Sequence, residues 1–144
     1  MRVLAGDIGG TSTRLCTAEC TDGVCRLRRR QQFASARYTG VEEILGEFLQ
    51  QESAPSFDAV CLAVAGPVRS TSTGQSAKVT NLPWEIESGV LAQTFGFPYI
   101  RLMNDFEAIG YGLPKLAASD FVVLQKGEPV PYGPRALIGA GTGL

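Results

Sequence analysis

Three groups of residues in this sequence have types and spacings suited to chemistry on a phosphate or an alcohol. The first group, Gly6-Asp7-Ile8-Gly9-Gly10-Thr11, directly follows the apolar residues Val3-Leu4-Ala5. Glycines in such a turn let backbone N–H groups approach a phosphate. The aspartate would repel a polyphosphate unless a magnesium ion lies between them, held directly or through water. Taken alone, the pattern is equally consistent with a hairpin that contains a turn-favouring aspartate.

The second group is Asn104-Asp105, which lies between an apolar stretch at 99–103 and a helix predicted over 106–113. The carboxyl end of a strand is where α/β folds bind ligands. Asp105 could accept the proton of an attacking hydroxyl, and the Asn104 amide could both donate to and accept from sugar hydroxyls. Capping of the following helix by either residue is an equally weighted alternative.

The third group is Thr80-Asn81-Leu82-Pro83-Trp84, which combines an amide, a rigid turn and the single tryptophan of the chain. Planar polar groups beside an apolar wall suit a sugar, but residue types alone favour a core tryptophan that anchors a loop. A further glycine turn, Gly139-Ala140-Gly141-Thr142-Gly143-Leu144, follows apolar residues at 136–138. It is weak evidence alone, but together with the first turn it would give two backbone sites for one chain of phosphates.

Composition excludes several classes of function. The 144 residues are 44% hydrophobic, and 13 basic against 14 acidic residues give a net charge of −1. No segment interleaves many basic residues with aromatic ones, so we expect no nucleic-acid partner. An acidic residue at position 7 and the absence of a long apolar run predict a cytoplasmic protein with no membrane partner.

Cysteine and histidine content limits the chemistry further. The four cysteines fit no zinc spacing, and the chain has no histidine, so histidine-dependent mechanisms are excluded for this chain alone. Cys20 and Cys25 could face one another across a hairpin, but reduced thiols are the expectation in a cytosol.

The pattern of elements predicts an α/β fold with a mixed sheet, in which an N-terminal antiparallel hairpin region precedes βα units. Strands are predicted near 3–5, 13–18, 24–33, 59–65 and 99–103, and helices after 39 and over 88–95 and 106–113. The first helix should begin with a capping box formed by Thr39 and Glu42. Residues 69–76 are predicted to form a surface loop or loose hairpin. Residues 121–124 and 136–138 have strand-like patterns. The arginine run Arg26, Arg28, Arg29 and Arg30 is better explained by a charged edge strand than by an anionic partner.

Five motifs taken together resemble the bacterial glucokinase family, within the hexokinase and actin-like ATPase superfamily of ribonuclease-H-like fold. They occur in this order: Gly6-Asp7-Ile8-Gly9-Gly10-Thr11, Val64-Ala65-Gly66-Pro67-Val68, Thr80-Asn81-Leu82-Pro83-Trp84, Met103-Asn104-Asp105-Phe106 and Gly139-Ala140-Gly141-Thr142-Gly143-Leu144. The resemblance covers essentially the whole chain. It implies ATP-dependent phosphorylation of glucose, or a similar hexose, at the 6-hydroxyl, with ATP and Mg²⁺ as cofactors.

The resemblance also implies a role for each motif residue. Asp105 would be the general base, and the sugar would be bound by Asn104, Asn81 and Gly139. Asp7 would position Mg²⁺. The phosphates would lie against two loops, one made of Gly9, Gly10 and Thr11 and the other of Gly141 and Thr142.

The chain ends on an apolar strand pattern and a glycine turn, which predicts a truncated polypeptide. We expect residues 1–113 to form a small α/β lobe and residues 114–144 to form the hinge and first strands of a second lobe. A lone first lobe should have negligible kinase activity, because closure of two lobes expels water from the site. A kinase for another hexose or an amino sugar, a non-catalytic sugar-binding or regulatory module, and association into a homodimer through an exposed apolar tail remain alternatives.

Overall fold

The computed structural model describes residues 1–52, 56–128 and 130–139. The chain divides into two compact units, Met1–Asp105 and Phe106–Leu144, which are described separately below. The strands are β1 (Arg2–Ile8), β2 (Ser12–Thr21), β3 (Val24–Ala34), β4 (Ala59–Val64), β5 (Val68–Thr71), β6 (Gly74–Lys78), β7 (Glu85–Glu87) and β8 (Ile100–Asn104). The helices are α1 (Val41–Gln50), α2 (Ser88–Phe95) and α3 (Asp105–Gly112).

The first unit is built on a five-stranded mixed sheet with the strand order β3-β2-β1-β4-β8. The hairpin strands β1, β2 and β3 pair antiparallel, whereas β4 pairs parallel with both β1 and β8. Parallel pairing brings the carboxyl ends of β1, β4 and β8 to one edge of the sheet. The predicted antiparallel start followed by βα units is confirmed.

One face of this sheet forms the hydrophobic core. Alternate residues are buried along β4 and the first half of β2, as the two-residue period of a strand predicts. Phe48 and the other apolar positions of α1 recur every three or four residues and join the same cluster. The fully buried members are Leu4, Ile8, Leu15, Val41, Ile44, Leu45, Phe48, Val60, Leu62, Val64, Ile86 and Leu91.

The N-terminus of α1 differs from the predicted capping box. The helix begins after Gly40, and no side chain caps it from that position. The backbone N–H of Thr39 instead donates to a carboxylate oxygen of Glu43, at 2.9 Å. Donation to this carboxylate lowers the pKa of Glu43 below its ordinary value. The prediction of Glu42 as the partner is therefore wrong by one residue.

A second, three-stranded sheet with the order β5-β6-β7 occupies the region predicted as a loop or loose hairpin. The hairpin alternative is therefore confirmed, and the short strand β7 was not anticipated. Gln75 on β6 connects this sheet to the large one, because its side-chain oxygen accepts a hydrogen bond from the backbone N–H of Leu102 at 2.9 Å.

The tip of the β2–β3 hairpin carries a disulfide that the sequence did not lead us to expect. Cys20 and Cys25 are direct partners in the ladder, and the structure joins their sulfur atoms. Asp22 and Gly23 between them both have positive φ angles, 52° and 76°, as a two-residue hairpin turn of type I′ requires. The expectation of two reduced thiols is therefore wrong for this pair, whereas Cys16 and Cys61 take no part in a disulfide.

The second unit contains most of α3 and two short 3-10 turns, Leu113–Lys115 and Ala118–Asp120. Residues 121–124 and 136–138 are not strands, so those two predictions are wrong. A strand requires a hydrogen-bonded neighbour, and the described part of this unit supplies none. Val122 and Leu124 are consequently 84% and 94% exposed. None of the helices in the described ranges combines the length and hydrophobicity needed to cross a bilayer.

Candidate functional site

The turn after β1 is fixed by hydrogen bonds to its backbone. The N–H of Gly9 donates to the carbonyl of Ser12 at 3.1 Å. Ser35, which is fully buried, donates from its hydroxyl to the carbonyl of Gly9 at 2.8 Å and from its N–H to the carbonyl of Thr11 at 3.1 Å. Sequence reasoning missed Ser35, because an isolated serine at the end of a strand carries no distinguishing pattern.

Gly6, near the end of β1, and Gly10, in the turn, both lie too close to other residues for a larger side chain to fit. A Cβ on Gly6 would lie 2.6 Å from the Leu62 side chain and 2.9 Å from the Leu15 side chain, so glycine at this position allows these two leucines to pack against β1. A Cβ on Gly10 would lie 2.7 Å from the carbonyl oxygen of Thr80. Gly10 therefore allows the β1 turn to lie directly against the loop that contains Asn81.

A second turn, Ala65-Gly66, connects three segments of the candidate site. The N–H of Ala65 donates to the carbonyl of Ile8 at 3.0 Å, and its carbonyl accepts from the N–H of Thr80 at 2.8 Å. The Asn104 side-chain amide donates to the carbonyl of Gly66 at 3.1 Å. The last residue of β1, the first residue of the 80–81 loop and the last residue of β8 are thus all hydrogen-bonded to this two-residue turn.

The ladder register gives the spacing of these groups. Ile8, Val64 and Asn104 lie in one row across β1, β4 and β8. With roughly 4.8 Å between neighbouring strands, the backbones at Ile8 and Asn104 are about 10 Å apart. Asp7 and Asp105, one residue from the ends of this row, therefore lie at one edge of the sheet, where the sequence predicted a ligand site.

Asp7 forms an ion pair that the sequence did not reveal. A guanidinium nitrogen of Arg14 lies 3.0 Å from a carboxylate oxygen of Asp7, and both side chains are about half exposed, at 53% and 51%. In the described part of the chain, no three acidic, cysteine or histidine residues come close enough together to hold a metal ion. A single carboxylate still suits Mg²⁺, which usually keeps several waters and binds one or two carboxylates together with substrate phosphates.

The 79–84 loop places its polar and apolar residues in opposite environments. The N–H of Val79 donates to the carbonyl of Trp84 at 3.1 Å and closes the loop. Trp84 is only 4% exposed and belongs to the core, which confirms the structural interpretation of this tryptophan. Asn81 is exposed and has a φ of 65°, a left-handed conformation that asparagine tolerates better than most residues.

Asn104 and Asp105 mark the transition from β8 to α3, and both are half-buried. The hydrogen bond to Gly66 fixes the orientation of the Asn104 amide, whose oxygen is an acceptor and whose nitrogen carries a second N–H. Asp105 is the first residue of α3 and the last residue of the first unit. The structure thus brings together seven predicted site residues in the first unit: Asp7, Gly9, Gly10, Thr11, Asn81, Asn104 and Asp105.

Thr11 lies in the same turn with its side chain exposed. The remaining predicted site residues follow Asp105. Gly139 belongs to the second unit, where an added Cβ would lie 2.6 Å from the ring of Phe106. Its absent side chain therefore allows close packing on Phe106. Gly141 and Thr142, the predicted second phosphate loop, lie outside the described residues.

Comparison with known proteins identifies the family. The family model described as Glucokinase matches residues 4–144. The chain belongs to the glucokinase family. Its curated relatives include the glucokinase of Nostoc punctiforme, which is 40% identical over 143 residues. That alignment covers 99% of this chain but 41% of the relative, so the chain spans about two-fifths of the length of the glucokinases it matches.

Solved structures give the same result at the level of fold. A glucokinase from an Antarctic psychrotroph superposes with a TM-score of 0.74 and 28% identity, over 88% of this chain and 39% of that one. The glucokinase of Balamuthia mandrillaris, solved in complex with glucose, superposes with a TM-score of 0.56 and 24% identity over 83% of this chain and 33% of that one. These likenesses confirm the predicted ribonuclease-H-like α/β fold of the sugar kinases.

Proposed function

We propose that this chain forms the sugar-binding and proton-accepting part of a glucokinase that phosphorylates glucose at its 6-hydroxyl with ATP. One observation carries the proposal: the Ala65-Gly66 turn connects the β1 turn, the Asn81 loop and the Asn104-Asp105 pair at one sheet edge. Those are the segments in which phosphate-binding, sugar-binding and base groups are expected. Family membership and the glucose bound to the Balamuthia mandrillaris glucokinase support the same substrate.

Each residue has a specific task in this proposal. Asp105 accepts the proton of the sugar hydroxyl as that oxygen attacks the terminal phosphate. Asn104 and Asn81 orient the sugar, and Gly139 adds a further contact. Gly9, Gly10 and Thr11 form the first phosphate loop, and Gly141 and Thr142 are the residues assigned to the second.

Asp7 is the residue that would hold Mg²⁺, directly or through water, and Arg14 competes for the same carboxylate until the metal–nucleotide complex arrives. When bound, Mg²⁺ neutralises phosphate charge. Positioning and charge neutralisation account for most of the catalysis in phosphoryl transfer, so this set of groups needs no histidine. A cytoplasmic location suits an enzyme that consumes ATP.

The first experiment assays the chain by itself and within a chimaera. In the chimaera, this chain replaces the matching region of the Nostoc punctiforme glucokinase, so that the rest of a full-length enzyme is present. A coupled assay measures glucose 6-phosphate. We expect turnover by the chimaera and negligible turnover by the isolated chain, because one lobe cannot exclude water from the reacting groups.

The second experiment tests the base within the chimaera. Asp105→Asn should lower kcat by at least about a hundredfold, as expected for the removal of a general base. Asp22→Asn is the matched control, because Asp22 lies in the hairpin turn at the opposite end of β2 from the β1 turn and asparagine tolerates its positive φ. Equal activity of the Asp105 variant and the control would refute the assignment, and a panel of hexoses and amino sugars would identify the preferred substrate.

A further inference from the structure

A cleft of about 530 Å³ opens beside the three-stranded sheet, and its lining includes side chains that the proposed phosphoryl transfer does not use. Its volume lies within the range of small-ligand pockets, roughly 300–1,000 Å³. Arg69 from β5, Lys78 from β6 and Glu85 from β7 line it together with the loop that contains Asn81. Neither the β1 turn nor the Asn104-Asp105 pair contributes to this lining, so the cleft shares only the Asn81 loop with the proposed kinase site.

The strand register places the charged residues of the cleft on one face of the sheet. Arg69 pairs with Ser76, and Lys78, two residues further along β6, pairs with Glu85. Residues two apart on a strand share a face, and direct partners share it as well. Ala77, between Ser76 and Lys78, is buried on the opposite face. The exposed face of this small sheet is therefore polar and carries the floor of the cleft.

The positive charge of Arg69 has no acidic residue directly opposite it on this face. Lys78 lies directly opposite Glu85, so these opposite charges are cross-strand neighbours, without an ion pair within 4.0 Å in the part of the chain that the structure describes. Arg69 lies opposite the neutral Ser76, and among the described residues no carboxylate oxygen is within 4.0 Å of its guanidinium. An exposed arginine without a carboxylate partner, at the wall of a cleft of ligand size, is a ready contact for an anion.

The rest of the lining indicates what the anion is attached to. The guanidinium fork of Arg69 matches the oxygens of a phosphate, and the Lys78 ammonium can add a second contact. The Thr80 hydroxyl and Asn81 amide suit sugar hydroxyls, and Pro67 and Pro83 give apolar walls against which a sugar ring can lie. We propose that this cleft binds a phosphorylated sugar, or a small phosphate monoester of similar size, with Arg69 as the main phosphate contact.

The test uses the isolated, ¹⁵N-labelled chain and three probes at constant ionic strength: glucose 6-phosphate, inorganic phosphate and glucose. Glucose 6-phosphate should shift the amide signals of residues 68–69 and 76–82. Arg69→Gln should weaken its binding at least tenfold, the loss expected when a charge-assisted contact is removed, and Arg69→Lys should weaken it less. Arg26→Gln, which removes an exposed arginine from β3, is the matched control and should leave binding unchanged.

Several outcomes would overturn the proposal. Unchanged affinity in the Arg69→Gln variant, or equal shifts with neutral glucose, would exclude phosphate recognition by Arg69. Equal affinity for inorganic phosphate and glucose 6-phosphate would refute the sugar part of the ligand and leave a phosphate site. Unfolding by urea and the dispersion of the amide signals verify that each variant is folded. Asp105→Asn should retain cleft binding, so failure of the kinase proposal and failure of the cleft proposal are distinguishable.

Discussion

The side-chain amide of Asn104 donates a hydrogen bond to the backbone carbonyl of Gly66, 38 residues earlier in the chain, at 3.1 Å. This bond orients the residue that precedes the candidate base. The geometry at the end of β8 therefore depends on the position of the Gly66 carbonyl, and hence on how closely the Ala65-Gly66 turn approaches β6.

Gly66→Ala should destabilise the chain by about 2 kcal/mol or more. A Cβ at this position would lie 2.1 Å from the carbonyl oxygen of Lys78, so the backbone must move to accommodate it. Urea unfolding at pH 7 measures the change. Gly46→Ala is the control: it lies within α1 with nothing within 4 Å of an added Cβ, and it should stabilise the chain by about 0.5–1 kcal/mol. Equal midpoints for the two variants would contradict the close approach.

Thr17→Val should stabilise the chain by about 1 kcal/mol. The Thr17 side chain is 1% exposed, and its hydroxyl is buried without a hydrogen-bond partner in the described structure. Replacing an unsatisfied buried hydroxyl by a methyl group of similar shape removes that cost. Thr13→Val, four residues earlier on the same face, should instead destabilise by about 1 kcal/mol, because the Thr13 hydroxyl is hydrogen-bonded to that of Ser35 at 3.0 Å. Changes of the same sign in both variants would refute this difference.

Acid should weaken α1 through Glu43. Its pKa is lowered because the Thr39 N–H donates to the carboxylate, so the folded state favours the charged form. The resulting stability is present above the pKa of an unfolded glutamate, about 4.3, and is lost as the pH falls through the lower folded value. The urea midpoint should therefore fall less between pH 6 and pH 3 in Glu43→Gln than in the unmodified chain. Glu42→Gln is the control, and an equally reduced pH dependence in both variants would be evidence against this interaction.

The hairpin disulfide gives a prediction about thiol counts. Without reductant, an alkylating reagent applied to the unfolded chain should modify two of the four cysteines, Cys16 and Cys61, and after reduction it should modify all four. Cys25→Ser, compared with the oxidised chain, should cost about 2 kcal/mol, from the chain entropy of the short loop that the bond closes. Modification of four cysteines in a chain purified under oxidising conditions would contradict the pairing.

Local periodicity was sufficient to predict most of the first unit. The unbroken apolar run that forms β4 and the three- and four-residue apolar spacing in α1 are typical of a buried strand and an amphipathic helix, so both elements were predictable from the sequence. The glycine turn after β1 and Asn104-Asp105 after β8 were also predictable, because each directly follows an apolar strand. The five-motif resemblance then indicated which chemistry these turns carry.

The missed features depend on how separate elements pair, which the local sequence pattern does not show. The Asp7–Arg14 ion pair requires the β1–β2 register, and the role of Gly66 requires the approach of Lys78 from another sheet. The Cys20–Cys25 bond follows from the ladder register, whereas our expectation of thiols rested on a predicted cellular location. Residues 121–124 were misassigned because hydrophobicity alone does not supply a neighbouring strand.

The Ala65-Gly66 turn has a thermodynamic consequence for recognition. The three segments expected to bind the sugar and the phosphates are hydrogen-bonded to this one turn in the absence of any ligand. Because the backbone of these segments is already ordered, ligand binding restricts few further loop and side-chain motions. This unit should therefore lose little conformational entropy when it binds a ligand. A sugar is bound mainly through hydrogen bonds to its hydroxyl groups, and these bonds replace bonds to water. Their net free energy is small, so a small entropic loss matters for the affinity.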